Sequence, residues 1–236
     1  MRRVFIDCGG HQATSVRFFK AVYPDAESYE IYSFEANPNF RRYFEEHEDV
    51  QIHNVAVWTV DGDIEFYCND GGASSVIKEK SKLGGFHKNK INVRCIDFSG
   101  WVRENIEPAD YVVLKMDIEG AEYDVLDKMV DDGTIDYVDR LYIEWHCAKT
   151  GGQIPIQRHL RTLRSLIDRD LIPYKWSAAE AIKAFGDGDR SSLQRHGLNR
   201  PATTGREGKM IPIDLAGEYA DIQKQVDHLL KCDIEL

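Results

Sequence analysis

The chain has 236 residues, 42% of them apolar and 30% charged, with a formal net charge of −10 at pH 7. That apolar content suits one α/β core, and no apolar run approaches the roughly 20 residues of a membrane span. The negative balance opposes nonspecific nucleic-acid binding. Five scattered cysteines without a CxxC pair argue against a disulfide framework or zinc knuckle, and for reduced thiols in a cytoplasmic protein.

Val4–Ile6 reads as a buried strand, entered so soon after Met1 that no signal-peptide apolar region is expected. Gly9–Gly10 is the turn, and Thr14–Tyr23 a helix with Val16, Phe19 and Tyr23 on one face. Ile31–Phe34 is a second strand, Asn39–Glu46 a charged, aromatic helix, and Gln51–Val57 a third strand. Val60–Tyr67 reads as a hairpin turning at Asp61–Gly62. The polar, basic stretch 71–90 predicts a long loop over the sheet edge. Val93–Ile96 and Phe98–Glu104 return as strand and helix. Tyr111–Asp117 is a strand, Glu119–Val130 its helix and Arg140–Trp145 the next strand. Gln157–Asp170 has leucines at helical spacing, Leu171–Trp176 looks like a strand, 186–209 a long aperiodic loop, and Tyr219–Leu230 an amphipathic helix. This alternation predicts a single domain over 1–236: a right-handed, doubly wound, mostly parallel sheet in three α/β/α layers.

Several strands end on an acid, at the edge where open α/β sheets bind ligands. Asp7, Gly9 and Gly10 form D-x-G-G, a turn that lets backbone approach a ligand and exposes helix N–H groups; an ordinary βα turn reads the same way. Glu35 ends the second strand, where a carboxylate grips ribose hydroxyls and repels a 2′-phosphate. It could equally serve as a helix N-terminal charge. The period of two puts Lys115 and Asp117 on one side of their strand, and Tyr142, Glu144 and His146 on one side of the next. Asp117, Glu119, Glu144 and His146 are thereby expected to converge on one mouth. His146 is the candidate base, with Asp117 as its orienter or substitute. The same four could hold Mg²⁺ or Mn²⁺; in the alternative, Glu119 serves its helix terminus, Lys115 neutralises Asp117, and His146 is a satisfied strand-end histidine.

In order, D-x-G-G, F-E-A-N-P (Phe34–Pro38), N-V-A-V (Asn54–Val57), S-S-V (Ser74–Val76) and K-M-D-I-E-G-A-E-Y-D-V-L (Lys115–Leu126) resemble the FkbM family over about residues 4–146. These are class I S-adenosylmethionine-dependent O-methyltransferases with a Rossmann-like fold. The resemblance implies that Asp7, Gly9 and Gly10 hold the methionine portion, with Glu35 on the ribose and Ala36 against the adenine. Asn54 and Val55 would be second contacts to the base, and Lys115 and Asp117 would stand beside the transferred methyl. The family usually carries a fuller glycine motif where this chain has Gly10–His11–Gln12–Ala13, so His11 adds bulk at the amino-acid end of the cofactor.

The leading expectation is methyl transfer to a hydroxyl of a small molecule or sugar. Lys78–Arg94 and the cations of 186–209 suggest an anionic acceptor, or plain solvated loop charge. Two alternatives stand beside it: an RNA or cap-like 2′-O-methyltransferase using Lys20, Lys115 and Lys175, and a non-catalytic nucleotide-binding module on the same fold. A Rossmann dehydrogenase lacks its glycine spacing. The two long loops are expected to close over the ligand.

Overall fold

The structure, a computed structural model, describes residues 1–23, 25–68, 74–77, 89–147, 153–176, 203–204 and 210–211. The expected loops at 71–90 and 186–209 and the helix Tyr219–Leu230 lie largely or wholly outside these residues.

Apolar side chains crowd both faces of six short segments, and such segments are buried as parallel strands. They are β1 (Arg3–Cys8), β2 (Glu30–Phe34), β3 (Val50–His53), β7 (Tyr111–Met116), β8 (Arg140–Ile143) and β9 (Pro173–Lys175). They pair in the order β3-β2-β1-β7-β8-β9, every ladder parallel. β7 is buried at all six positions, as a central strand should be. Pro173 is tolerated because it opens a strand at the edge.

Alternation within β1 feeds two cores. Val4, Ile6 and Cys8 face α2 (Phe98–Asn105) and α3 (Glu122–Asp131), whereas Phe5 faces α1 (Thr14–Val22). Helices thus cover both faces, and α4 (Ile156–Ile167) adds Leu166 to the first core. The three layers anticipated from the alternation are present.

Three local expectations are corrected. Gln51–Val57 is two strands: β3 joins the main sheet, and β4 (Ala56–Trp58) leaves it for a second sheet. The break falls at Asn54, whose amide donates to the Glu35 carbonyl and whose Oδ1 accepts from Arg41. The hairpin at Asp61–Gly62 does not form. β4 and β5 (Gly62–Cys68) instead flank β6 (Asn89–Asp97), parallel and antiparallel respectively, because β6 supplies Val93 and Cys95 to a small core with Ala56 and Phe66. The segment after β2 is a 3-10 helix, Pro38–Phe44, capped by the Asn37 side chain at 3.1 Å and anchored by buried Phe40 and Phe44.

The sheet order reverses direction between β1 and β7, and there the two exit turns meet. Asp117 donates its N–H to the Cys8 carbonyl at 3.0 Å. Gly9 has φ +87, and a Cβ on it would lie 1.9 Å from the Asp117 carbonyl oxygen. Gly9→Ala therefore meets backbone, not a movable side chain. Urea unfolding of that variant should show a loss of roughly 3 kcal/mol or more, from overpacking and left-handed strain together; a loss under 1 kcal/mol would contradict this close approach.

Candidate active site

The β1 turn is fixed from beneath. Asp7 is fully buried: its Oδ2 accepts from Ser15 Oγ at 2.7 Å and Ser33 Oγ at 2.8 Å, and its Oδ1 lies 3.1 Å from the Lys115 ammonium. Lys115 Nζ also donates to the carbonyls of Gly9 at 2.6 Å and Cys8 at 3.2 Å, with the Trp176 ring centre 5.5 Å away. Burial works against the Lys115 charge, but Asp7 and Asp117 overcome it and raise its pKa. Above this clamp, His11 and Ala13 take left-handed backbone at φ 48 and 58. α1 starts with neither a side-chain cap nor an acid in its first turn.

β2 delivers Glu35 to the same rim. Its Oε2 accepts the His11 N–H and its Oε1 the Asn37 N–H, each at 2.7 Å. Each oxygen keeps a further lone pair. Burial pushes the Glu35 carboxyl up to about 7, with the two backbone N–H groups opposing. Beside it lies a cavity of about 290 Å³ whose apolar side is made by Ala36, Phe40, Val55, Val57, Phe66 and Val76. The His11 ring meets Phe40 edge-on at 4.4 Å, and burial followed by Lys115 lowers its pKa, so the imidazole is neutral.

The opposite rim is acidic. After β7 the chain turns through Asp117 and Glu119, the latter at φ 60, a strained setting for a non-glycine residue. Ser75 Oγ donates to the Glu119 carbonyl at 2.7 Å. Glu122, fully buried in the first turn of α3, accepts the N–H groups of Ile118 at 3.0 Å and Gly120 at 2.9 Å, and so shapes that turn. Its Oε1 also meets His146 Nδ1 at 2.9 Å. His146 Nε2 lies 3.2 Å from Glu119 Oε2, 3.7 Å from Glu144 Oε1 and 3.8 Å from Asp117 Oδ1. Burial raises the Asp117 pKa, Lys115 opposes this, and Glu144 adds to the rise.

The four residues expected to converge do so. Gly9, Gly10, His11, Glu35, Ala36, Val55, Lys115, Asp117, Glu119 and Glu144 all line the cavity. Three assigned residues, Asp7, Asn54 and His146, do not line it. Asp7 sits behind the wall with both oxygens engaged by Ser15, Ser33 and Lys115. Asn54 is turned to Arg41 and the Glu35 carbonyl. His146 has no exposed surface and lies among the carboxylates of Asp117, Glu119, Glu122 and Glu144. Glu122 was not anticipated. Its signal was present as the second glutamate of E-G-A-E, yet a helix N-terminal acid needs no function.

The family model described as Methyltransferase FkbM domain matches residues 7–169, well over half of the chain. The chain belongs to the FkbM methyltransferase family. No curated protein and no solved structure was found to match it. The matched span runs from the end of β1 past α4, and includes both rims of the cavity except for Trp176. This FkbM protein is thus a methyltransferase, and S-adenosylmethionine is the donor that methyltransferases generally use. No helix among the described residues is long and apolar enough to cross a membrane.

The clamp generates a stability prediction. Lys115→Met leaves Asp7 buried without its cation and should cost about 3–5 kcal/mol. Adding Asp7→Asn keeps an acceptor for Ser15 and Ser33 and removes the stranded charge. The double variant should be more stable than Lys115→Met alone in urea unfolding; simple additivity of the two losses would show that the pair is not coupled.

Proposed function

We propose that this protein transfers a methyl group from S-adenosylmethionine to a hydroxyl of a small molecule or sugar, within one cytoplasmic domain. The observation that carries the reading is one cavity with Glu35 on one rim and Asp117, Glu119 and Glu144 on the other. The donor set fits the cofactor. Glu35 retains a lone pair on each oxygen for a ribose diol, and Ala36, Val55 and Phe40 offer apolar surface to a base. Thr14 and Ser15 bring the uncapped start of α1 to the cavity, where N–H groups favour a carboxylate. The carboxylates opposite suit a sulfonium cation. Bound there, S-adenosylmethionine supplies an electrophilic methyl group.

The remaining work belongs to the chain. Lys115 acts as the clamp that sets the Gly9–Gly10 turn, in place of the catalytic role expected of it. Asp117 is the leading proton acceptor, because a carboxylate whose pKa is raised by burial is a stronger base and its side chain keeps 15% exposure to the cavity. His146 holds the surrounding carboxylates in register. In-line displacement then depends on fixing the acceptor oxygen on this rim, opposite the Glu35 end.

The RNA reading loses support from the lysines. Lys20 pairs with Asp49 at 2.6 Å, Lys175 is exposed on β9, and Lys115 is committed to the β1 turn. An anionic acceptor remains part of the proposal through the cations of Lys78–Arg94, most of which lie outside the described residues; Lys90 pairs with Glu65.

Calorimetric titration with S-adenosylmethionine tests the reading. Glu35 must be ionised to accept two hydroxyls, and its pKa is about 7. Affinity should therefore rise with pH and be about tenfold weaker at pH 6 than on the plateau above pH 8. Glu35→Gln should bind more weakly at every pH and lack this rise. Absence of binding in the parent protein would refute the proposal, and binding without turnover on any hydroxyl acceptor would favour a non-catalytic module.

A further inference from the structure

Ser74–Val76, the S-S-V segment, supplies more than wall to the cavity. Ser75 forms an antiparallel bridge with Tyr67 at the end of β5. Its N–H donates to the Tyr67 carbonyl at 3.1 Å, and its carbonyl accepts the Tyr67 N–H at 2.8 Å. Extended backbone sends alternate side chains to opposite sides. Ser74 and Val76 accordingly line the cavity, whereas Ser75 between them does not and has no exposed surface. The Ser75 hydroxyl works in two directions instead. It donates to the Glu119 carbonyl at 2.7 Å and accepts the Ile77 N–H at 2.9 Å. A hydroxyl has one proton to give, so these two bonds fix its rotamer and aim that proton at Glu119.

The peptide that receives it belongs to the turn that carries Asp117. Non-glycine backbone at φ 60 persists only where its surroundings over-determine it. Three elements do so here. β1 holds the Asp117 N–H through the Cys8 carbonyl, and α3 holds the Ile118 and Gly120 N–H groups through Glu122. The second sheet holds the Glu119 carbonyl through Ser75. That last bond crosses from one sheet to the other, so it sets the spacing between the apolar wall of Phe66 and Val76 and the rim that bears Asp117.

We propose that Ser75 is a positioning residue for the charged end of the cofactor: its hydroxyl holds the Asp117–Glu119 turn where the Asp117 carboxylate favours a sulfonium over the neutral thioether left when the methyl has gone.

The selection follows from charge. Donor and demethylated product share base, ribose and amino acid, so contacts to those groups bind both alike. Only the donor carries a positive charge on sulfur, and a carboxylate fixed at short range, out of bulk water, is the kind of group that tells the two apart. Asp117 meets that description, since burial is the largest influence on its carboxyl. A loosened turn lets this carboxylate swing toward water, and the distinction fades while the shared contacts persist. Selection of the donor rests on the function proposed above; the hold of Ser75 on the turn does not.

Ser75→Ala tests both parts, with Ser99→Ala as the control. Ser99 shares a buried hydroxyl contact with Thr134 at 2.7 Å, and neither residue lines the cavity, so its loss is a similar packing change made elsewhere. Amide hydrogen exchange in the ligand-free proteins is the first readout. In Ser75→Ala the Ile118 and Gly120 amides should exchange about tenfold faster or more, with Leu114 in β7 unchanged. Calorimetric titration with S-adenosylmethionine and S-adenosylhomocysteine is the second. The ratio of the two affinities should shift against S-adenosylmethionine by about threefold or more in Ser75→Ala, and keep its parent value in Ser99→Ala. Circular dichroism verifies each fold, and Ser75→Cys, close in size but a much weaker donor, repeats both measurements with the space filled. Unchanged exchange at Ile118 and Gly120 overturns the hold of Ser75 on the turn. Equal weakening of both ligands overturns its part in selecting the donor. Faster exchange in a protein that binds neither ligand would sink the methyl-transfer reading, and the selection with it, leaving only the hold.

Discussion

One buried ammonium holds the two central turns of this sheet together. Lys115 enters from β7, meets the Asp7 carboxylate of β1 and caps the carbonyls of Cys8 and Gly9. A lone charge in that position would be driven out or neutralised, because burial opposes it strongly. Asp7 and Lys115 therefore depend on each other, and Ser15 and Ser33 satisfy the remaining oxygen of Asp7. The arrangement links β1, β2, β7 and α1 at the reversal of strand order. With those ends fixed, the β1 turn passes so near Asp117 that residue 9 has no space for a side chain.

The two rims of the cavity inherit their order from this clamp by different routes. On the Glu35 side the support is backbone: the N–H groups of His11 and Asn37 grip both carboxylate oxygens. Burial still wins, which leaves Glu35 near the midpoint of its titration at neutral pH. On the Asp117 side the support is a side-chain chain of command. Glu122 gathers the N–H groups of the Asp117–Gly120 turn and orients His146, and His146 in turn faces the carboxylates that line the cavity. A polar network of this kind specifies geometry when its members are satisfied.

Legibility of the site in the sequence followed how local each signal was. Glu35, Asp117 and Glu144 were readable because each follows an apolar strand, and the end of a strand is where a polar side chain first meets the ligand edge. Their convergence followed from side-chain alternation along β7 and β8. Asp7 carried the same signal and yet lies behind the wall, since its partners Ser15, Ser33 and Lys115 come from three other elements. His146 continued the same alternation, but nothing local disclosed that four carboxylates would enclose it. The split of Gln51–Val57 and the missing hairpin failed for a related reason: β6 competes successfully for both β4 and β5, and strand partners are chosen across the chain.

By itself, then, the sequence determined the elements and the edge on which the chemistry sits, because the periods of two and 3.6 are properties of neighbouring residues. It also carried the K-M-D-I-E-G-A-E block, which lies within the span that the family model matches. The tertiary structure alone decided which acids face the cavity and which are consumed as internal counter-charges. That choice depends on contacts between residues such as Asp7 and Lys115, brought together only when parallel strands pair. Burial then set the working properties of the residues left on the rim, raising the carboxyl pKa of both Glu35 and Asp117. Desolvation depends on everything packed around a group, and no local pattern in the chain encodes it.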